Sequence, residues 1–387
     1  MTTATARDPR RVLEPAALRR LTGIAAEDAP RVDREGVFPS ATLQRLYDEG
    51  VYELLFADGD ARPSIVELSR VVQAVAQGDP SAALVLVNTI QAVEKQKAQR
   101  IWPAELFDEF QRRSAVGPVN LNGARAEPDL GAPARGGLPA TTAFRTEGGW
   151  SISGRKAYVT GSRYLDWQSV WVKTDEPTVR VGHVLVPGDA PGLEVVETWD
   201  HLGLRGSATH DVIYRDVTVP WENFIEIPFI DGRYVDPVGR GGPSSLLHAV
   251  IYVGVARAAQ AEFLRFARER VPSALGRPIS ETERIQTIAG EIEGLLVQAE
   301  ELLYGLTARA EAGDADAIRR TQIAKPLVAR GAIEAVQVAV AALGNPALSR
   351  SHALERHLRD VLCARVHPPQ EDAARLAVGR RLFEIQN

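Results

Sequence analysis

The sequence predicts an α+β fold in three successive parts: helical, then β, then helical again. Three observations carry this. Apolar residues recur at helical spacing through the first third. Near residue 115 the texture changes to short β-branched and aromatic runs separated by turn residues. From about residue 243 long helical stripes return. The expected divisions are an N-terminal helical domain over 1–115, an antiparallel β-domain over 116–230 and a C-terminal four-helix-type bundle over 231–387.

The elements follow in order. Residues 40–50, SATLQRLYDEG, begin at a serine that can cap and stop at Gly50. In 64–77, Ile65, Leu68, Val71, Val72 and Val75 share one face. Asp79 can cap the next helix, which has Pro80 at its first position. Proline and glycine are dense from 117 to 139. WSISGRKAYVT, WQSVWVK, VRVGHVLV, GLEVVE and HDVIYRDVTV then read as strands of an antiparallel sheet or small barrel. In 284–311, Ile285, Ile288, Ile292, Leu295, Leu296, Ala299, Leu302, Leu303 and Leu306 make a stripe suited to bundle packing. The helix over 318–343 is rich in Ala and Val almost all round, as a buried helix is.

With 387 residues the chain can bury large cores. A net charge of -5 gives no reason to expect nucleic acid or an anionic membrane as partner. No apolar run in the sequence has the length of a membrane span, and MTTATARDPRR lacks an apolar signal core. The single cysteine, Cys363, fits a reducing cytoplasm. There is no CxxC, no HExxH and no phosphate loop of Walker or Rossmann type, so metal and nucleotide motifs of those kinds are excluded.

Four stretches carry a resemblance. They are GDPSAALVL at 78–86; AEPDLGAP at 126–133 with GGWSISGRKAYVTGS at 148–162; HLGLRGSATHDVIYRDVTVP at 201–220; and ERHLRD at 355–360. In this order and spacing they resemble the acyl-CoA dehydrogenase superfamily over almost the whole chain. The resemblance implies an acyl-CoA dehydrogenase-like fold and a flavin, FMN or FAD, between the β-domain and the bundle. It implies a homotetramer or homodimer with subunit contacts from the bundle helices between 284 and 343. A Thr in a W/Y-x-T run meets the N5/O4 edge of the flavin in this family, and Tyr158-Val159-Thr160 match it. Taken alone, Tyr158 and Thr160 would be strand formers in alternation. Ala126 and Gly131 fall where the family brings backbone close to flavin or substrate; alone they would belong to a surface loop.

Three departures matter. Counting from Arg359-Asp360, one large branch of the family has its glutamate base where this chain has Pro368. A second branch places the base at the start of the bundle, where this chain has Ser244 and Ser245. Removing an α-proton needs a positioned base, so desaturation of an acyl thioester is put in doubt. For the grip on FAD, Arg270 and Ser273 are candidates, but the run RVPSALG is longer than usual, and Glu283 stands in place of a Gln and would repel a pyrophosphate unless paired. The usual Q-x-x-G-G segment reads Ala341-Ala342-Leu343-Gly344-Asn345, with Gln337 one turn earlier. The profile resembles the reduced-flavin monooxygenase branch, such as the enzymes that oxidise dibenzothiophene. Those use FMN from a separate flavin reductase and carry a histidine one place before the dehydrogenase glutamate; His367 falls there. Histidine suits proton management because its pKa lies near neutrality. The plain alternative for His367 is a helix-end residue that satisfies carbonyls.

His248 reads as a packed core histidine, and His201 and His210 as structural. Glu371, placed by its two preceding prolines in a loop, is the candidate for a relocated base. Three functions remain open at this point. They are a flavin monooxygenase of a small organic substrate, an acyl-CoA dehydrogenase with an atypical base, and a non-catalytic member that binds an acyl chain or carrier.

Overall fold

The computed structural model describes residues 8–130, 137–230, 232–236 and 242–383. Six helices come first: α1 (Pro15–Glu35), α2 (Ser40–Asp48), α3 (Val51–Phe56), α4 (Ile65–Gly78), α5 (Pro80–Gln99) and α6 (Ala104–Ser114). Local chemistry sets their ends. Ser64 and Glu67 form a reciprocal capping box on α4. Asp79 accepts from the N–H groups of Ser81 and Ala82 at the start of α5. Helix α2 differs from the sequence reading: Ser40 is its first residue, and Pro39 occupies the cap without a side-chain bond.

Strands follow: β1 (Leu121–Ala124), β2 (Thr142–Arg145), β3 (Trp150–Val159), β4 (Trp167–Thr174), β5 (Val181–Pro187), β6 (Leu193–Val196), β7 (His210–Val219) and β8 (Phe224–Glu226). They form one eight-stranded sheet in the order β6-β7-β3-β2-β4-β5-β8, with β1 added alongside β4. The sheet is largely antiparallel. Two pairings, β1 with β4 and β2 with β4, are parallel, because long connections and not hairpins deliver those strands. A small hairpin, β9 (Phe229–Ile230) and β10 (Arg233–Tyr234), leads out of the sheet.

The last part holds α7 (Leu247–Glu269), α8 (Glu283–Glu311), α9 (Ala315–Leu343), α10 (Asn345–Leu348), α11 (Ala353–Leu362) and α12 (Glu371–Leu382). Helix α7 is central. Its apolar residues join α4 and α5 in one core and α8, α9 and α11 in another. Helix α9 is long and apolar enough to cross a membrane by length and composition, which corrects the sequence reading that no run has that length. Half of that window is buried inside the protein, as in a core helix, and α9 carries a buried lysine, Lys325.

The three parts meet at the loop after β6. Gly203 packs on α11 so closely that a Cβ there would lie 2.4 Å from the carbonyl oxygen of Arg359. Gly290 on α8 has no atom within 4 Å of the equivalent position. Gly203→Ala should therefore lower unfolding free energy by about 1–3 kcal/mol through forced backbone movement. Gly290→Ala should raise it by about 0.4–1 kcal/mol by restricting the unfolded chain. Urea titration of both variants checks this, and a neutral Gly203→Ala would contradict the close approach.

Candidate functional site

Thr160 is the first residue beyond the end of β3, not a residue within the strand. Gly161 follows with φ of 74°, a left-handed conformation that ends the strand and turns the chain. The Thr160 hydroxyl accepts from Thr209 at 3.0 Å, and Thr209 is in turn 2.7 Å from Ser207. Since the Thr209 proton is spent on Thr160, Ser207 donates to Thr209, and the Thr160 proton points onward. Asn122 Nδ2 donates to the Thr160 carbonyl at 3.2 Å and fixes the turn. Three non-glycine residues nearby in sequence have left-handed backbone: Tyr158, Leu204 and Ala208. Such strain gathers where structure is held for function. Tyr158 is exposed and its ring meets His201 edge-on at 6.1 Å, while His201 stacks on Trp199 at 3.8 Å. His210 is structural, accepting the N–H groups of Thr198 and Trp199 at Nδ1.

Ala126 presents its carbonyl to the N–H of Ala157 at 2.9 Å, bringing its segment against β3. Behind it lies a buried ion pair, Lys156 Nζ to Glu127 Oε1 at 2.7 Å. Glu127 also accepts from Ala140 N, Thr141 N and Thr141 Oγ1, so its lone pairs are filled. Burial pushes Lys156 down to about 8 against the pull of Glu127. Gly131 lies outside the described residues.

Arg359 and Asp360 join this turn to the bundle. Asp360 is 2% exposed and accepts the N–H of Leu204 at 2.8 Å. Burial is the main reason its carboxyl is pushed up to about 7. Arg359 holds both oxygens of Asp33 on α1 at 2.7 and 2.6 Å and donates to the carbonyl of Leu202 at 3.0 Å.

His367 sits past the end of α11, half-buried beside α7. Its Nδ1 is hydrogen-bonded to the hydroxyl of Tyr252, which is fully buried. Burial first, then His248 and Lys325, holds His367 well below the ordinary histidine range, while burial raises Tyr252 well above the ordinary phenol range. The imidazole is therefore neutral and the phenol protonated. Two arrangements satisfy this bond: the phenol donates to Nδ1, which leaves the ring proton on Nε2, or Nδ1–H donates to the phenol oxygen. The ring of His248 lies 5.5 Å away, with its Nε2 3.1 Å from Asn88 Oδ1 on α5. Burial lowers His248 to about 4, so it too is neutral.

Lys325 is 3% exposed and donates to the carbonyls of Ala364 at 3.2 Å, Pro369 at 3.3 Å and His367. This ammonium pins the loop that carries His367. The sequence reading did not single out Lys325 and took His248 as a packed core histidine. Lys325 lay hidden in an apolar helix, and the partners of His248 are distant in the chain. The visible signal was the four-residue spacing of His248 and Tyr252, which shares a helix face.

The remaining candidates are placed elsewhere. Glu371 is not in a loop but opens α12, where Arg330 and Arg375 hold it in ion pairs at the surface. Its charge is committed to two guanidinium groups, and an acid in a first helical turn is favoured there. Arg270 caps the end of α7 and Ser273 lies in the exposed loop beyond. Gly344 ends α9 with φ of 67°, and no atom lies within 4 Å of an added Cβ.

The Thr160 turn fits a flavin. It offers one hydroxyl proton on a rigid, strained backbone, the donor that the N5/O4 edge requires. Thr160, with the backbone near Ala126, would hold the ring.

A profile for the acyl-CoA dehydrogenase middle domain matches residues 123–217, and one for the acyl-CoA dehydrogenase C-terminal domain matches 246–369. YdbM of Bacillus subtilis (strain 168), whose name places it among the acyl-CoA dehydrogenases, is 31% identical over 371 residues, 93% of each chain. TdsC from Paenibacillus sp. A11-2, solved with FMN and indole, matches with a TM-score of 0.83 at 22% identity, covering 97% of this chain and 98% of that one. Butyryl-CoA dehydrogenase from Megasphaera elsdenii matches with a TM-score of 0.81 at 18% identity, covering 99% and 100%.

Lys325 generates a pH prediction. Burial pushes it down to about 8 in the fold. An unfolded lysine titrates near 10.4, roughly, so between these values the unfolded chain holds more of this proton. Stability therefore gains from this group as pH rises through that window. The difference in unfolding free energy between the parent and Lys325→Met should grow from pH 8 to pH 10. A difference that stays flat or shrinks would contradict the buried ammonium.

Proposed function

The chain belongs to the acyl-CoA dehydrogenase family of flavin-dependent oxidoreductases, and within it we propose a reduced-flavin monooxygenase acting on a small organic substrate. One observation carries this reading: His367 Nδ1 is hydrogen-bonded to the Tyr252 hydroxyl, and we assign the phenol as its donor. A neutral imidazole in that state is a proton donor at Nε2 and not a base. Abstraction of an α-proton from an acyl thioester requires the opposite. Oxygen transfer requires a donor for charge that develops on oxygen, in a site that keeps water out.

Bound reduced flavin would supply the electron pair for oxygen activation, delivered by a separate flavin reductase. Thr160 would donate to its edge, and the Ser207–Thr209 hydroxyl chain orients that donor. His367 Nε2–H would stabilise negative charge on the reacting oxygen. Tyr252 holds the tautomer, and Lys325 holds the loop.

A second reading is an acyl-CoA dehydrogenase with a relocated base, favoured by the name of the Bacillus subtilis relative. Glu371 would then have to leave Arg330 and Arg375. The family setting also supports a homotetramer, with exposed Val297 and Leu327 on α8 and α9 as contact residues. Light scattering that gives a monomer at micromolar concentration would contradict that assembly.

Anaerobic addition of butyryl-CoA should leave the flavin oxidised. With reduced flavin, oxygen and substrate, His367→Ala should lower oxygenated product by about a hundredfold to ten-thousandfold at unchanged flavin content. Flavin bleaching by an acyl-CoA, lost in Glu371→Gln and kept in His367→Ala, would overturn the monooxygenase reading in favour of the second.

A further inference from the structure

The two ring nitrogens of His248 are treated differently by the fold. His248 is the second residue of α7, and its Nε2 lies 3.1 Å from Asn88 Oδ1 on α5. One turn further along α5, Gln91 Nε2 donates to the carbonyl of Ser244 at 3.0 Å. That bond ties the approach to α7 to the same helix and holds the ring against Asn88.

The bond to Asn88 fixes the tautomer. A carboxamide oxygen can only accept, so the proton in this bond belongs to His248 Nε2. Burial lowers the ring to about 4, so no second proton is held near neutrality. The lone pair is therefore on Nδ1. Moving the proton across to Nδ1 would set two lone pairs against each other at 3.1 Å. Among the described residues, Nδ1 of His248 has no hydrogen-bond partner. The ring is half-buried and this nitrogen is open, whereas the Nδ1 atoms of His183 and His357 are sealed in the interior without a partner.

His367 is the counterpart across the corner. The two rings meet edge-on, with centroids 5.5 Å apart and planes at 63°. His367 is engaged through Nδ1 and His248 through Nε2, so opposite nitrogens are left over. With the phenol of Tyr252 as donor, the corner offers one imidazole N–H and one imidazole lone pair. Solvent satisfies such a lone pair while the site is open. Once a substrate displaces that solvent, the lone pair must meet a donor or be left unpaired at a cost. A site built around such a group separates a ligand with an N–H or O–H from its isostere far more sharply than an apolar wall does.

We infer that His248 Nδ1 accepts a hydrogen bond from the substrate, and that the substrate is a small organic molecule with an N–H or O–H group beside the atom that is oxidised. This rests on the monooxygenase reading given above and names the substrate class for it. His248 is then a specificity-determining residue, and Asn88 is the positioning residue that keeps its lone pair on Nδ1. An apolar group at the same place would bury that lone pair without a partner. The donor should be favoured over an isostere that lacks it by about ten- to a hundredfold.

Flavin-loaded protein is titrated with matched probes: indole against benzofuran, and phenol against fluorobenzene. Binding is read from the perturbed flavin absorbance and from the thermal midpoint. In at least one pair the donor should bind about tenfold or more tightly than its isostere, and the favoured pair tells whether the subsite takes N–H or O–H. His248→Leu should abolish the preference at unchanged flavin content. Asn88→Leu leaves the ring in place but frees its tautomer, and should weaken the preference, so a His248→Leu protein that does not fold still leaves the test standing. Equal binding within both pairs, or a preference that survives in His248→Leu, would overturn the inference and leave the monooxygenase reading standing. So would a preference for quinoline over naphthalene that is lost in His248→Leu, since it would put the ring proton on Nδ1. A parent protein that takes up neither FMN nor FAD would overturn both.

Discussion

The paired residues Arg359 and Asp360 hold the three parts of this molecule in register. One side chain reaches back to Asp33 near the end of α1, and the other reaches the backbone of Leu204 beside the Thr160 turn. Both are largely buried, and the arginine makes a bidentate contact whose two oxygens fix direction as well as distance. Glu355 on the same helix also holds Arg359, at 2.6 and 2.9 Å, which fixes the guanidinium's orientation toward Asp33. Glycine at 203 lets the loop and α11 approach to backbone contact. Thr160 is thereby referenced to the same helix whose end carries His367, so these two candidate groups from two domains keep a fixed relation.

The second constraint is a cation used as a structural pin. Lys325 lies inside an Ala/Val-rich helix and spends its donors on three carbonyls of one loop. Carbonyls past a helix end have no intrahelical partner, and a buried ammonium satisfies several at once. Its charge also helps to keep His367 and His248 neutral. One residue therefore positions the loop that carries His367 and adds, after burial and His248, to holding its imidazole neutral. Under the proposed monooxygenase reading, the scaffold would function with Pro368 at the usual glutamate position because the neighbouring imidazole serves as a donor.

Much of the fold was legible because its signals are local. Capping at Asp79 with Pro80, the β-branched and aromatic runs of β4 and β5, and the stripe along α8 all act within a few residues. Three features were not legible for one reason, that their partners are remote in sequence. The parallel additions of β1 and β2 to β4 depend on long connections. Lys325 reads as a lone charge in an apolar helix until the loop near His367 folds over it. His248 reads as core until Asn88 and His367 arrive. Thr160 was legible as a residue but not in its geometry, because Gly161 ends the strand one position earlier than alternation suggests. Glu371 was misplaced because the chain resumes a helix immediately after the prolines, and Arg330 then claims the carboxylate.

The central claim is that His367 is a neutral donor with its proton on Nε2. The most direct measurement is the nitrogen-15 NMR spectrum of histidine-labelled protein, with His367 assigned by substitution and recorded from pH 5 to pH 8. The account predicts one neutral Nε2–H tautomer across that range, with Nδ1 accepting a hydrogen bond that disappears in Tyr252→Phe. A ring that titrates to imidazolium near its ordinary value, or one protonated at Nδ1 and open at Nε2, would contradict it and restore His367 as a base.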